Sequence, residues 1–159
     1  MIKDLVQRLE RNRDEFMKTA AQLTDDVAGL SLGEDDWTIW GVMAHLTAAE
    51  WQLRRMAEII ARKPTFAFES FDRDEMNARS VARYESKPLS EIVEQWQSNR
   101  QKMIEFAGSL APEQLQNVVL HPVYGEIDPV YPIERQIWHI TAHLAEIRGA
   151  LRPTNEFAA

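Results

Sequence analysis

Cysteine is absent from this chain of 159 residues. Its absence excludes disulfide bonds, metal sites built on thiolates and catalysis by a cysteine nucleophile. Glycine and proline are scarce, at six and seven residues, while 45% of the chain is hydrophobic and 27% is charged. That balance is ordinary for a folded globular protein.

Positive charge is neither abundant nor clustered. The chain has 18 lysines and arginines against 25 acidic residues, which gives a net charge of −7. Its basic runs are no longer than the pairs Arg54-Arg55 and Arg62-Lys63. A nucleic-acid backbone requires a basic face on its partner, so we expect no nucleic-acid partner.

Long hydrophobic runs are also missing. No apolar stretch approaches the roughly 18 residues that a membrane-spanning helix needs. The beginning, MIKDLVQRLERNRDEF, lacks the continuous apolar core of a signal peptide. We therefore expect no membrane partner and a cytoplasmic location. The length predicts a single domain over residues 1–159, large enough to bury a core.

Apolar residues recur at helical spacing in four long segments. The first covers residues 2–24, and the second runs from about 37 to 62. The third follows Pro88, and the fourth starts at Pro132 and ends before Pro153. Each helix alone would be marginal in water, so their apolar stripes must pack together. The pattern predicts an all-α four-helix bundle.

Two connections differ in character from these segments. Residues 63–88 form a long crossover between the second and third long helices, with a short helix expected over 75–83. Residues 117–131 are rich in β-branched residues and proline, which predicts an extended loop with a small hairpin around Gly125-Glu126.

Three of the four histidines suit a common site. His139 and His143 lie four residues apart in the fourth helix, so both project from one face. His45 lies on the apolar side of the second helix. Three imidazoles with an open position are typical of catalytic zinc. The alternative is that they are neutral core histidines bonded to neighbouring groups, which is the commoner situation for a single buried histidine.

Other metal sites and roles do not fit as well. A di-iron bundle uses Glu-x-x-His, but Val42, Gln136 and Ile140 occupy the positions three before these histidines. A zincin needs glutamate directly after the first histidine, where Ile140 stands. The fourth histidine, His121, precedes a proline in the extended loop, and we expect it to face solvent.

Three blocks of the sequence resemble the signature segments of the DinB-like superfamily. They are WTIWGVMAHLTAAEW, FDRDEMNARSVARY and YPIERQIWHITAHLAEIRGAL, and the likeness spans essentially the whole chain. The resemblance implies a bacterial four-helix bundle with a divalent metal, zinc or nickel, held by His45, His139 and His143. Relatives in that family include transferases that use bacillithiol or mycothiol and a thiol-dependent maleylpyruvate isomerase.

Further residues are candidates for roles around such a site. Asn77 and Arg79 resemble the family's Asn-x-Arg segment, where Asn77 would orient a substrate or, equally, fix the local backbone. Glu50 and Glu146 would each accept a hydrogen bond from a metal-binding histidine, or instead form ion pairs at the surface. Asn77 and Glu50 are the candidate catalytic residues.

The functional hypothesis is a divalent-metal-dependent enzyme of the thiol S-transferase or hydrolase type. Its partners would be a small-molecule substrate and a low-molecular-weight thiol or water, which the cation would activate. The alternative is a non-catalytic bundle that binds a small molecule or a partner, with a structural metal or none. We also expect a homodimer, because symmetric pairs dominate soluble oligomers.

Overall fold

The structure is a computed structural model that describes residues 1–32 and 37–152. Its elements in chain order are α1 (Ile2–Ala20), α2 (Asp25–Ala28), α3 (Ile39–Arg62), α4 (Arg73–Ala82), α5 (Leu89–Ser109), a 3-10 turn (Gln114–Gln116), β1 (Val119–His121), β2 (Gly125–Ile127) and α6 (Val130–Leu151). The predicted all-α four-helix bundle is confirmed, with α1, α3, α5 and α6 as the long helices and α4 in the crossover. Within the described ranges, no helix has the length and apolar character to cross a membrane.

The ends of several helices are set by short polar side chains. The Thr38 hydroxyl accepts a hydrogen bond from the Gly41 backbone N–H at 3.0 Å and so caps α3. Asp72 caps α4 in the same way through the Glu75 N–H, also at 3.0 Å. Asp128 accepts from the N–H groups of Val130 and Tyr131, and α6 therefore starts two residues before the predicted Pro132.

The first helix is shorter than its periodicity predicts. It ends at Ala20, and residues 25–28 form the separate short helix α2. Thr24 takes an extended conformation between them. Asp25 and Asp26 then occupy the first turn of α2, where the helix dipole favours negative charge.

In the bundle, the first two long helices, α1 and α3, occupy diagonally opposite positions. Both α1 and α3 pack against α5 and against α6. The direct contact between α3 and α6 brings together the two helices that carry His45, His139 and His143.

The predicted hairpin is present between α5 and α6. Strands β1 and β2 pair antiparallel, with Val119 opposite Ile127 and His121 opposite Gly125. Gly125 has a φ of 74°, a left-handed conformation that favours glycine. Val119 and Ile127 are buried against Ile60 of α3, and this contact fixes the hairpin to the bundle.

A charged pair lies inside the bundle with no exposed surface on either side chain. Arg100 of α5 donates to both carboxylate oxygens of Glu50 on α3, at 2.6 and 2.9 Å. Arg100 also donates to the Leu9 carbonyl and the Asn12 side chain of α1, and Gln136 of α6 donates to Glu50 at 2.8 Å. All four long helices therefore take part in one buried polar cluster.

Replacing Arg100 by Met should lower the free energy of unfolding by about 3–5 kcal/mol, because Glu50 then keeps a buried charge without its partner. Urea denaturation followed by circular dichroism measures this loss. As a control, Arg79→Met removes a largely exposed pair with Glu75 and should cost no more than about 1 kcal/mol. Equal losses in the two variants would contradict the structural role of the buried pair.

Candidate metal centre

The structure brings His45, His139 and His143 together where α3 packs on α6. The Nε2 atom of His139 lies 3.0 Å from His45 Nε2 and 3.1 Å from His143 Nε2. One nitrogen from each ring lies within 4.8 Å of the other two. The three rings therefore form a group of the size that can hold one metal ion.

His45 is the most enclosed of the three rings, with 8% of its surface exposed. The Thr38 cap starts α3 so that His45 lies in its second turn, on the side that faces α6. The Trp37 ring packs edge-on against His45, with ring centroids 5.1 Å apart. These contacts hold the His45 ring in place between two helices.

The outer nitrogens of the other two rings already have partners. His139 Nδ1 lies 3.2 Å from Gln136 Oε1, and His143 Nδ1 lies 3.0 Å from a Glu146 carboxylate oxygen. Both oxygens are acceptors, so in the neutral form of each ring the Nδ1 carries the proton and the Nε2 is left with a lone pair.

Glu50 decides which way the Gln136 amide points. The Gln136 side-chain N–H group donates to the Glu50 carboxylate at 2.8 Å, so its oxygen must face His139. The carboxylate in turn is held by Arg100. A chain of hydrogen bonds thus runs from the buried ion pair to the His139 ring and fixes its tautomer.

Burial keeps the rings of His45 and His139 neutral near pH 7. Loss of solvation lowers the pKa of His45 to about 4, and the nearby His143 lowers it further. Burial likewise lowers the pKa of His139 to about 3, and the proximity of His45, His143 and Arg135 lowers it further. Neutral imidazole is the form that binds a metal ion.

The facing lone pairs of His139 and His143 have a chemical consequence. When both rings are neutral and carry their protons on the outer nitrogens, the two Nε2 atoms at 3.1 Å do not hydrogen-bond to each other. Two electron-rich nitrogens at this distance repel unless a cation lies near both. The donor set fits a divalent ion that accepts nitrogen ligands.

A cavity of about 980 Å³ opens in front of the three histidines. Asn77 of α4 lies in its wall, together with Trp37, Tyr124 and Arg135. Glu50 is buried behind Gln136, and neither Glu50 nor Arg79 lies among the described residues of the wall. Arg79 is exposed and pairs with Glu75.

Two surface expectations are wrong. His121 is only 2% exposed, since the turn of the hairpin folds over it. Its Nδ1 accepts the backbone N–H groups of Val123 and Tyr124, and its ring stacks on Tyr124. The surface ion pair considered for Glu50 is also absent, because α5 places Arg100 opposite it inside the core.

Gln136, Arg100 and Arg135 are parts of this region that sequence reasoning missed. Gln136 and Arg135 precede His139 by three and four residues, so helical spacing alone placed them beside it. For Arg100 the chain offers no local signal, because its partner Glu50 is 50 residues away.

A family model described as the DinB superfamily matches residues 8–147. A protein of Oceanobacillus iheyensis, named "Putative metal-dependent hydrolase OB0413", is 19% identical over 150 residues, covering 94% of this chain and 85% of that protein. YfiT from Bacillus subtilis, described as a probable metal-dependent hydrolase with an unusual four-helix bundle topology, has a TM-score of 0.76 at 18% identity. That match covers 94% of this chain and 85% of YfiT.

A second solved structure shares the fold at lower identity. A mycothiol-dependent maleylpyruvate isomerase has a TM-score of 0.75 at 11% identity. The match covers 92% of this chain but 60% of the isomerase, so the isomerase contains a further part that has no counterpart in the match. At these identities the structural likenesses show the fold.

Protein stripped of divalent ions should lose stability as the pH falls from about 7 to about 5. In the unfolded chain the imidazoles of His45 and His139 titrate near their ordinary pKa of about 6.5. In the folded chain His45 and His139 stay neutral down to about 4 and 3, so the unfolded state binds more protons in this window. Above about pH 7 these groups contribute a constant stability.

Urea denaturation at several pH values measures this slope. The double variant His45→Gln, His139→Gln is the control, because it removes both groups and should flatten the curve across the same window. Curves of equal slope for the two proteins would show that the rings are not held neutral.

Proposed function

The chain belongs to the DinB superfamily, and on that premise we propose that it is a metal-dependent enzyme whose His45, His139 and His143 bind one divalent cation through Nε2. One observation carries this proposal: the three Nε2 atoms converge while the outer nitrogens of His139 and His143 are bonded elsewhere. The matched family and the metal-dependent relatives support it.

The ligands favour one class of cation. Three neutral imidazoles suit zinc or nickel better than calcium or magnesium, which prefer oxygen. Zinc–nitrogen bonds measure about 2.0–2.1 Å, so two nitrogens on one ion lie no more than about 4.2 Å apart. The two separations that involve His139, 3.0 and 3.1 Å, are within that limit, and all three nitrogens lie within 4.8 Å of one another.

When bound, the cation would act as a Lewis acid toward a water molecule or a thiol. The residues around the histidines would position the ligands and the substrate. Gln136 and Glu146 orient two of the rings, and Glu50 keeps the Gln136 amide in the required direction. The open cavity would admit a small molecule to the face of the histidines, and Asn77, which lines its wall, would orient that molecule.

We propose that the reaction is hydrolysis or transfer of a thiol to an electrophilic small molecule. The chain contains no cysteine, so an attacking thiol would come from a cosubstrate, and water is the alternative attacking group that we propose. Two relatives whose names specify metal-dependent hydrolysis favour water, and the isomerase that depends on mycothiol favours a thiol. Assays of the metal-loaded protein with activated esters, and with an aryl halide plus a thiol, distinguish these reactions. The homodimer and the cytoplasmic location remain predictions.

Protein purified without a histidine tag should contain about one divalent ion per chain, because three imidazoles hold a zinc-type ion. Elemental analysis after gel filtration measures the ratio. His139→Ala should lose the ion while circular dichroism shows the same helix content. Activity in the assays above should disappear with the metal.

The fourth histidine provides the matched control. His121→Asn removes a histidine outside the cluster, and asparagine can still accept the two N–H groups of the turn. This variant should retain the ion. Metal-free wild-type protein that does not take up zinc or nickel would refute the enzyme proposal and leave the non-catalytic alternative.

Gln136→Leu should weaken metal binding by about 10- to 100-fold, because His139 loses the acceptor that fixes its tautomer. Competition with a chelator of known affinity measures the change. Gln101→Leu is the control, since Gln101 is an exposed residue of α5 that bonds to Glu105. Equal metal affinities for the two variants would mean that Gln136 has no positioning role.

A further inference from the structure

Two arginines meet at one aromatic ring in the cavity wall. Arg135 comes from α6 and Arg73 from the first residue of α4, and both line the cavity that contains the three histidines. Their guanidinium carbons lie over the Tyr124 ring, 4.6 and 5.9 Å from its centroid. The hairpin, the crossover helix and α6 thus converge at this point.

Neither arginine has a carboxylate partner in the described part of the chain. The ion pairs found there involve other arginines, and the contacts of Arg73 and Arg135 are with the ring of Tyr124. Arg135 is half-buried, so its charge has lost part of its hydration without gaining an anion. A ligand with a negative group would supply the missing partner.

Arg135 lies on the same helix face as the metal ligands. Residues 135, 139 and 143 are spaced by four, so successive side chains stand about 6 Å apart along one stripe of α6. Arg135 is therefore attached to α6 one helical turn before His139, and both side chains line the same cavity. That separation suits a small molecule with its anionic end on the arginine and its reacting end at the histidines.

Three carboxylates also line the cavity, and they do not neutralise this pair. Glu146 accepts the His143 Nδ1 proton. Asp74 and Glu85 belong to the crossover side of the wall, and neither forms an ion pair with Arg73 or Arg135 within the described residues. The positive charge over Tyr124 stays available to a ligand.

We propose that the substrate carries a carboxylate, which Arg135 binds with Arg73 beside it while the reacting end of the molecule meets the three histidines. A carboxylate suits this position because the planar guanidinium donates two parallel hydrogen bonds to it. The proposal rests on the metal-dependent function above, and in it Arg135 determines the preference for substrates that carry a carboxylate.

A matched pair of thiols tests the proposal. β-Mercaptopropionate and its neutral amide differ only in the charge of the end that Arg135 would contact. With cobalt-loaded protein, thiolate ligation changes the visible spectrum and gives the dissociation constant of each probe. Wild-type protein should bind the acid about 10-fold more tightly than the amide, the effect of one charge-assisted contact.

Arg135→Met should abolish this preference, while the affinity for the amide and the ratio of one metal per chain stay unchanged. Arg79→Met is the control, because this arginine is exposed outside the cavity wall, and it should keep the preference. Equal binding of the two probes by wild-type protein, or a preference that survives Arg135→Met and Arg73→Met, would overturn the proposal.

The two proposals fail in different ways. If the protein takes up no metal, the enzyme proposal fails, and the carboxylate preference is read by NMR titration of the metal-free protein with the same two probes. Chemical shift changes near Tyr124 that are larger for the acid support the carboxylate site there. Shifts that are equal for acid and amide refute it.

Discussion

The ion pair between Glu50 and Arg100 imposes the strongest constraint on this bundle. Neither side chain reaches water, so every polar atom of the pair requires a partner from the protein. Those partners are the Leu9 carbonyl and Asn12 of α1 and Gln136 of α6. An apolar core tolerates small sliding of its helices, whereas directed bonds to a buried charge do not. The pair therefore fixes the positions of α1, α3, α5 and α6 relative to one another along the axis of the bundle.

The same constraint reaches the cluster of histidines. Glu50 takes the N–H group of the Gln136 amide, which leaves the amide oxygen for His139. The direction of the His139 lone pair is thus a consequence of where Arg100 holds Glu50. Burial then lowers the pKa of His139 and His45, so that the rings remain neutral over the physiological pH range.

How far the chain predicts its own structure varies with the range of the interaction. The four long helices follow from apolar spacing, and the hairpin follows from β-branched residues around Gly125. The start of α6 is predicted two residues too late, because capping by Asp128 allows the helix to begin before Pro132. His121 is predicted to face solvent because its sequence neighbours are typical of a loop. In the structure the turn of the hairpin encloses its ring.

By itself the sequence determined that the protein is a helical bundle with no cysteine thiol of its own, and that His139 and His143 share one helix face. These properties depend on neighbours within one or two turns. The tertiary structure decided that His45 meets that pair, that Gln136 is oriented through Glu50, and that Arg73 and Arg135 meet over Tyr124. Each of these contacts joins residues from different elements, and their distances depend on how the helices and the hairpin pack. Local periodicity carries no information about that packing.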